Sequence, residues 1–550
     1  MKQFFLALNT CEKTLLFIVL VIYGHNLFID IMIVDAAQYA SIALEMYATN
    51  SYLAIFDLGV DYLDKPPLLF WISSLFFKAF GVHTLTYKLG SFFMLLLAVY
   101  STYKFTLLYY AQSIAKNAAL LLATCQAFFL MTNDVRTDGL LLSSVITAIW
   151  LLSNYLITKK INYLVLGAVF TGLAMLAKGP IGIIAVLMPI GVQLLYKKKA
   201  IEIISYNWLI YLVIVAVILL PMSYGLYRQF DLHPEKIIGG KLNQSGLYFY
   251  YWQQSFGRIT GESFWDNGLP WHFFIGSIVW DYFPWIFLLY FGLFMQAKKL
   301  LQKQEVPELI SLSGFLLLFI MLSMSKYKLP HYIFVTFPFA AILSANYMET
   351  ISYNQAKNWI RFYRFLGILV LGILMAYSLF FFKEINGIVA FLGILQVYIL
   401  FRSATSNTPF LPKILSLVIV LNLFLSFVFY PKLLTYQADS VAGKWISNSH
   451  PSAEIYVLDE PARAFNFYTK NPFLRVVKNP NLDTIQFPYW LYVQEKDLPR
   501  LEQNYVVTTK KRFPNYHITK IKLPFLVQES RPKCLEYKYL IQLVNKKPKR

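Results

Sequence analysis

The chain has 550 residues, of which 57% are hydrophobic and only 14% charged, whereas a soluble chain of this length carries nearer a quarter charged residues. The net charge is +20, but its basic residues fall in alternate short loops with no stacking pattern or Gly-rich phosphate loop, which excludes nucleic acid as the partner. Cys11, Cys125 and Cys534 lie far apart in the chain, which excludes a disulfide framework or a cysteine zinc site.

Apolar blocks such as Leu15–Phe28, Leu85–Tyr109, Leu140–Ile157 and Ile310–Met324 have about the length that crosses roughly 30 Å of hydrocarbon. Basic residues mark the loops between them: Lys104 and Lys116, Lys159 and Lys160, Lys197 to Lys199, Lys298, Lys299 and Lys303, Arg361 and Arg364, Arg402 and Lys413. Loops rich in Lys and Arg stay in the cytoplasm. With Met1–Lys13 on that side, the pattern predicts a polytopic α-helical membrane protein of about thirteen spans. They are placed at 14–30, 84–109, 117–132, 139–157, 162–177, 180–196, 206–224, 273–295, 307–325, 331–347, 364–382, 386–402 and 413–430. The first block is read as a retained helix, because no small-residue cleavage site follows it. An odd count puts the segment after Tyr430 outside. Pro431–Arg550 is more polar, and its strand-like runs Glu454–Leu458 and Tyr489–Val493 predict a small mixed α/β domain. Residues 1–430 then form the membrane domain and 431–550 a soluble domain on the outer, periplasmic side.

Two outer segments, 30–84 and 225–272, are too long for plain connectors and point to function. Six of the 29 acidic residues fall between Asp30 and Asp64, beside a membrane that tolerates charge poorly. From Asp35 the run DAAQYASIALEMYA places Asp35, Gln38, Ser41 and Glu45 on one face of a short interfacial helix. Asp35 there is either an N-cap or a catalytic acid. Further on, Tyr62-Leu63-Asp64-Lys65-Pro66-Pro67-Leu68 leads into the apolar run LLFWISSLFFKAFG. Paired prolines suit the first turn of a helix, so Lys65 stands where the helix end already favours an anion. It is a candidate phosphate holder, or a charge paired with Asp64 or Asp61.

The spacing DxxQYAxIAxEM followed by YLDKPPLLFWI resembles the first periplasmic loop of the bacterial aminoarabinose (lipid A) transferases and the related protein O-mannosyltransferases, which share the GT-C glycosyltransferase fold. The resemblance implies Asp35 as the catalytic acid and sets Tyr62, Asp64 and Lys65 in the Tyr-x-acid-Lys-Pro-Pro segment. Gln38 stands where the aminoarabinose transferases usually carry Arg, which leaves the donor sugar open. Other outer segments match in order: Asp138, a helix cap or a second active-site acid; the Lys178-Gly179-Pro180 turn; Arg258, whose planar fork suits a donor phosphate; and Ser325-Lys326-Tyr327-Lys328-Leu329-Pro330-His331-Tyr332. From the last, Lys326, Lys328 and Tyr332 join Tyr62 as candidate phosphate ligands. Asp64 and His272 are candidates for the acceptor or a divalent cation.

The implied reaction moves a sugar from a polyprenyl (undecaprenyl) phosphate carrier to lipid A or another periplasmic acceptor, with inversion at the anomeric carbon. Phosphate departs without needing a proton, so cations rather than an acid must stabilise it. Asp35 takes the proton of a hydroxyl acceptor, or orients an acceptor that is itself a phosphate. Beyond membrane lipids, donor and acceptor, no partner is implied, and the chain is expected to be a monomer in the bacterial inner membrane. Two readings compete: a protein O-mannosyltransferase-like enzyme with a Ser or Thr acceptor, and a lipid-sugar flippase. The flippase predicts ionisable residues at mid-membrane and internal repeats. The charges here gather instead in the outer loops, and no such repeat is visible.

Overall fold

The structure, a computed structural model, describes residues 2–238, 240–260, 262, 266–382, 387–401, 410–471, 474–478, 482 and 485–548. Apolar helices stand at each of the expected positions, but most are shorter or more bent than a straight span. Six are long and apolar enough to cross a membrane alone, among them Thr84–Thr106, Thr137–Thr158 and Tyr353–Phe382. The number rises to eight if two bent pairs each count as one span. By length and composition, then, the described residues support six to eight spans where the sequence predicted about thirteen. Composition records apolar length but not where the backbone turns. The chain bends by 52° between Gln112–Thr124 and Gln126–Asn133, and by 120° between Phe273–Asp281 and Ile286–Leu301. Leu68–Phe80, Ile181–Tyr196 and Ile310–Ser323 are apolar but short.

Small residues let these helices approach closely, as is usual where lipid offers no hydrophobic drive between them. A Cβ added at Gly182 would lie 2.6 Å from the Ala174 backbone, and one at Gly225 only 2.1 Å from the Leu53 carbonyl oxygen. The second contact matters for the site, because it presses the first long loop against the helix Asn207–Leu226.

That loop is ordered by its own short elements. The helix Asp35–Thr49 buries Ala36, Ala37, Ala40, Ile42 and Ala43. A two-residue hairpin, β1 (Phe56–Asp57) against β2 (Val60–Asp61), follows, and then the helix Leu68–Phe80. Pro67 is the N-cap of that helix, so the two prolines precede the first turn rather than fill it.

Residues from Ala438 onward form a mixed α/β module. Its strands are β3 (Ile455–Leu458), β4 (Arg475–Val477), β5 (Tyr489–Gln494), β6 (Tyr505–Asn515) and β7 (Glu536–Lys546). They lie in the order β4-β3-β5-β7-β6, parallel on the β4-β3-β5 side and antiparallel from β5 through β7 to β6. Alternate residues serve two cores: Val457, Trp490 and Tyr492 face one, and Tyr456, Leu458 and Leu491 the other. Burial on both faces explains why β3 and β5 read as continuous apolar runs.

The module is seated on the first loop. Ile33 N–H donates to Gln437 Oε1, and Gln437 Nε2 donates to the Ile31 carbonyl, each at 2.9 Å. From the helix Arg463–Thr469, Asn466 Nδ2 donates to Ser41 Oγ at 2.8 Å, and the Phe467 ring lies 6.0 Å from those of Phe77 and Tyr87.

Because the Gly225 contact is with backbone, Gly225→Ala should force the loop outward. Overpacking of this kind costs on the order of 1–3 kcal/mol. The check is a lowered melting temperature in detergent together with faster proteolysis between residues 50 and 67.

Candidate active site

Asp35 opens its helix, and Val34 rather than Asp35 is the N-cap. Its carboxylate does not cap the helix. It pairs instead with Arg136 Nη1, which reaches it from the turn before the helix Thr137–Thr158. Arg136 also holds Asp134 through Nε at 2.7 Å, and its side chain is only 17% exposed. Burial works against the Arg136 charge, but Asp134 and Asp35 beside it overcome this and raise the guanidinium above its ordinary range. Burial likewise pushes the Asp134 carboxyl up, with Arg136 opposing. A surface arginine in the sequence is thus a buried bridge between two acids.

The network continues past Arg136. Its Nη1 lies 3.5 Å from His331 Nε2, and that nitrogen lies 3.7 Å from Asp138 Oδ2. Asp138, 3% exposed in the first turn of its helix, pairs through its other oxygen with Lys178. The Lys178 ammonium sits 3.8 Å above the centre of the Tyr332 ring, a cation–π placement. Asp35, Asp138, Lys178 and Tyr332 therefore belong to one connected cluster.

Beside that cluster lies a cavity of ≈ 750 Å³ empty volume, counted to its open mouth. Its wall is mostly apolar, with Leu141, Ile181, Ile184, Met321, Leu322 and Val335. Lys65, Lys178, Gln254, Ser325 and Tyr332 supply the polar part. Lys65 pairs with Asp64 at 2.8 Å, and Gln254 Nε2 donates to the Asp64 carbonyl. Lys65 also lines a second cavity of ≈ 380 Å³, together with Tyr62, Trp71, Gln229 and Tyr250. The buried Tyr62 hydroxyl has no hydrogen-bond partner among the described residues. Burial, then Asp64, Asp57 and Asp35, hold this phenol well above its ordinary pKa, so it is a neutral donor.

Other expected residues stand apart. Lys328 is 4% exposed, and its ammonium donates to the Leu269 carbonyl at 2.9 Å while its backbone N–H donates to Asn267 Oδ1; it straps two loops together. Lys326 is exposed. The side chain of Arg258 lies outside the described residues. His272 is the exposed N-cap of Phe273–Asp281, edge-on to Trp271 at 5.6 Å, while Asp64 is engaged with Lys65. Among the described residues no three His, Cys, Asp or Glu side chains group as metal ligands. Sequence reasoning did not place Arg136, Lys178 or His331 in the site. The available signal was the presence of cations on a side where the positive-inside pattern does not call for them.

Residues 64–224 match the family model described as dolichyl-phosphate-mannose-protein mannosyltransferase. A stretch of 365 residues is 27% identical to an uncharacterized protein of Aquifex aeolicus, covering 65% of this chain and 66% of that one. Another, of 367 residues, is 24% identical to undecaprenyl phosphate-alpha-4-amino-4-deoxy-L-arabinose arabinosyl transferase 2 of Pseudomonas fluorescens, covering 64% and 58%. The match thus spans 58% to 66% of the length of these relatives. The fold is similar to that of ArnT from Cupriavidus metallidurans, whose crystal structure was determined bound to undecaprenyl phosphate. The TM-score is 0.69 at 16% identity, over 96% of this chain and 97% of that one. The resemblance read from the first loop therefore holds in sequence and in fold.

Two outcomes are expected from this geometry. Arg136→Ala leaves Asp35 and Asp134 without their cation, and breaking such a buried pair costs about 3–5 kcal/mol. In a double-mutant cycle of Arg136→Ala with Asp134→Ala, monitored by thermal unfolding in detergent, the second change should restore part of that loss. Glu45, 6% exposed, accepts from the Gly59 N–H at 3.0 Å, and burial raises its carboxyl pKa. Stability from this group is therefore full below the ordinary glutamate range and is lost as pH rises through the raised value. Glu45→Gln, which keeps an acceptor for Gly59, should raise the melting temperature at neutral pH and remove that part of the decline.

Proposed function

We infer that this chain, which belongs with the aminoarabinose-transferase-like proteins of the GT-C glycosyltransferase superfamily, transfers a sugar from a polyprenyl monophosphate to a periplasmic acceptor at the bacterial inner membrane. One observation carries the reading: a largely apolar cavity is lined also by two lysines, Lys65 and Lys178, next to the cluster that holds Asp35. A lipid tail needs the first property and a phosphate needs the second. Each lysine is paired with a carboxylate, Lys65 with Asp64 and Lys178 with Asp138, which aims it.

In this mechanism the polyprenyl tail lies along Leu141, Ile181, Ile184 and Val335, and the phosphate meets Lys65 and Lys178. The acceptor oxygen bonds to the anomeric carbon as the bond from that carbon to the phosphate oxygen breaks. The electron pair leaves with the phosphate, where the two ammonium groups stabilise the added charge. Asp35, held in place by Arg136, receives the proton of a hydroxyl acceptor. Attack from the face opposite the phosphate inverts the configuration at that carbon. Tyr62 and Tyr332 shape the phosphate end, Tyr62 as a neutral donor and Tyr332 as the ring beneath Lys178. Lys328 takes no part, because its ammonium is committed to Leu269. Arg258 and Lys326 are assigned to the approach of the donor head group. A lipid A-type acceptor is favoured by the similarity to the arabinosyl transferases, and the distribution of basic loops supports the assignment of the membrane side.

The test is transfer of radiolabelled sugar from defined polyprenyl-phosphate donors in membrane vesicles. Removing a general base lowers turnover by about 10²–10⁴-fold, so Asp35→Asn should lose most activity while still binding polyprenyl phosphate. Lys65→Ala and Lys178→Ala should weaken that binding. Full transfer by all three variants would sink the assignment. Movement of the carrier across the bilayer without transfer would instead support a flippase.

A further inference from the structure

The helix Arg463–Thr469 of the C-terminal module does more than pack. Its residues at spacings of three and four point toward the membrane domain. Asn466 reaches Ser41, Phe467 enters the core between Phe77 and Tyr87, and the Tyr468 hydroxyl accepts from the Ile31 N–H at 2.9 Å. Arg463, at the head of this helix, projects onto the hairpin of the first long loop. It holds Asp57 through Nε at 2.9 Å and through Nη2 at 2.8 Å, both to Oδ2, with Nε also 3.2 Å from Oδ1. Asp57 is 9% exposed, and the same Oδ2 accepts from Gln38 Nε2 at 2.8 Å.

Gln38 lies one turn after Asp35 on the same helix. A chain of three side chains therefore runs from the module to the turn that presents the proposed base: Arg463, Asp57, Gln38. A fork-like guanidinium bond sets orientation as well as charge, which an ammonium does not reproduce. Beyond the effect of burial, Asp64, Asp57 and Asp35 raise the pKa of the Tyr62 phenol and Arg463 lowers it. Charge placement around Tyr62 thus depends on a residue more than 400 positions away in the chain.

We propose that Arg463 is a positioning residue of the transfer site, through which the C-terminal module fixes, by way of Asp57 and Gln38, the helix turn that carries Asp35. The proposal rests on the transferase reading for its kinetic consequence, but its structural consequence can be measured without it. In the full-length protein in detergent, Arg463→Ala should speed amide hydrogen exchange in residues 35–45 while leaving that of the strands β3 and β5 unchanged. In the transfer assay, small misplacements of a catalytic group cost up to about 10²-fold, so kcat should fall at least about tenfold with donor KM within about threefold. Arg463→Lys should restore only part of either effect. Asp57→Asn should resemble Arg463→Ala, and the double variant should be no worse than the singles, as for residues that act in series.

Lys538→Ala serves as a control, since its 2.7 Å pair with Asp439 and its place 5.6 Å over the Tyr492 ring both lie inside the module, and it should change neither readout. Unchanged exchange in residues 35–45 on Arg463→Ala would overturn the proposal whatever the chemistry proves to be. So would an effect of Lys538→Ala equal to that of Arg463→Ala, which would assign the change to module folding. If the wild type transfers no sugar while the exchange effect is present, the transferase reading falls and the positioning survives.

Discussion

A carboxylate removed from bulk water needs a cation or several hydrogen bonds to stay charged, and the first long loop concentrates that demand. Five of its acids meet cations from different parts of the chain: Asp30 meets Lys444, Asp35 Arg136, Asp57 Arg463, Asp61 Lys236 and Asp64 Lys65. Only Lys65 is local. The other four come from the turn before Thr137, the long loop near Lys236, and the C-terminal module. Exposed ion pairs are worth little, but several of these are largely screened from solvent, and each removes one way for the loop to move. The fold of the loop is set less by its own hairpin, of two residues per strand, than by where its counter-charges stand.

Glu45 shows what happens without that match. It has no cation among the described contacts, accepts from the Gly59 N–H, and its carboxyl is pushed upward by burial. Asp134 is pushed the same way although Arg136 opposes it. Asp35, by contrast, shares the Arg136 guanidinium at the edge of the cluster, with its side chain 33% exposed. A base must be reachable, and of these acids Asp35 is the most exposed while still paired with a cation.

Much of this was legible in the chain. Asp35 stood out because it opens a short interfacial helix in an acid-rich outer loop, Asp138 because it stands at the start of an apolar helix, and Lys65 because it stands directly before a pair of prolines that restrict the backbone. The mixed module was legible from its continuous apolar strands. Pairings across 100 or more residues were not, since nothing local distinguishes the bridging Arg136 from a surface arginine, or Lys178 at a Gly-Pro turn from a snorkelling one. Gln38 read as a gap in a pattern; its meaning depends on Asp57 and Arg463, which no spacing rule connects. The bend between Gln112–Thr124 and Gln126–Asn133 was not legible either, because apolar length records no change of direction.

The position of Lys65 on a wall common to both cavities has a consequence for occupancy. One ammonium cannot neutralise two anions fully, so an anionic guest on one side weakens the hold on an anionic guest on the other. Such antagonism is reciprocal by thermodynamic necessity. On the transferase reading the two chambers would act as a see-saw, in which an anion arriving across the wall loosens a phosphate held on the other side.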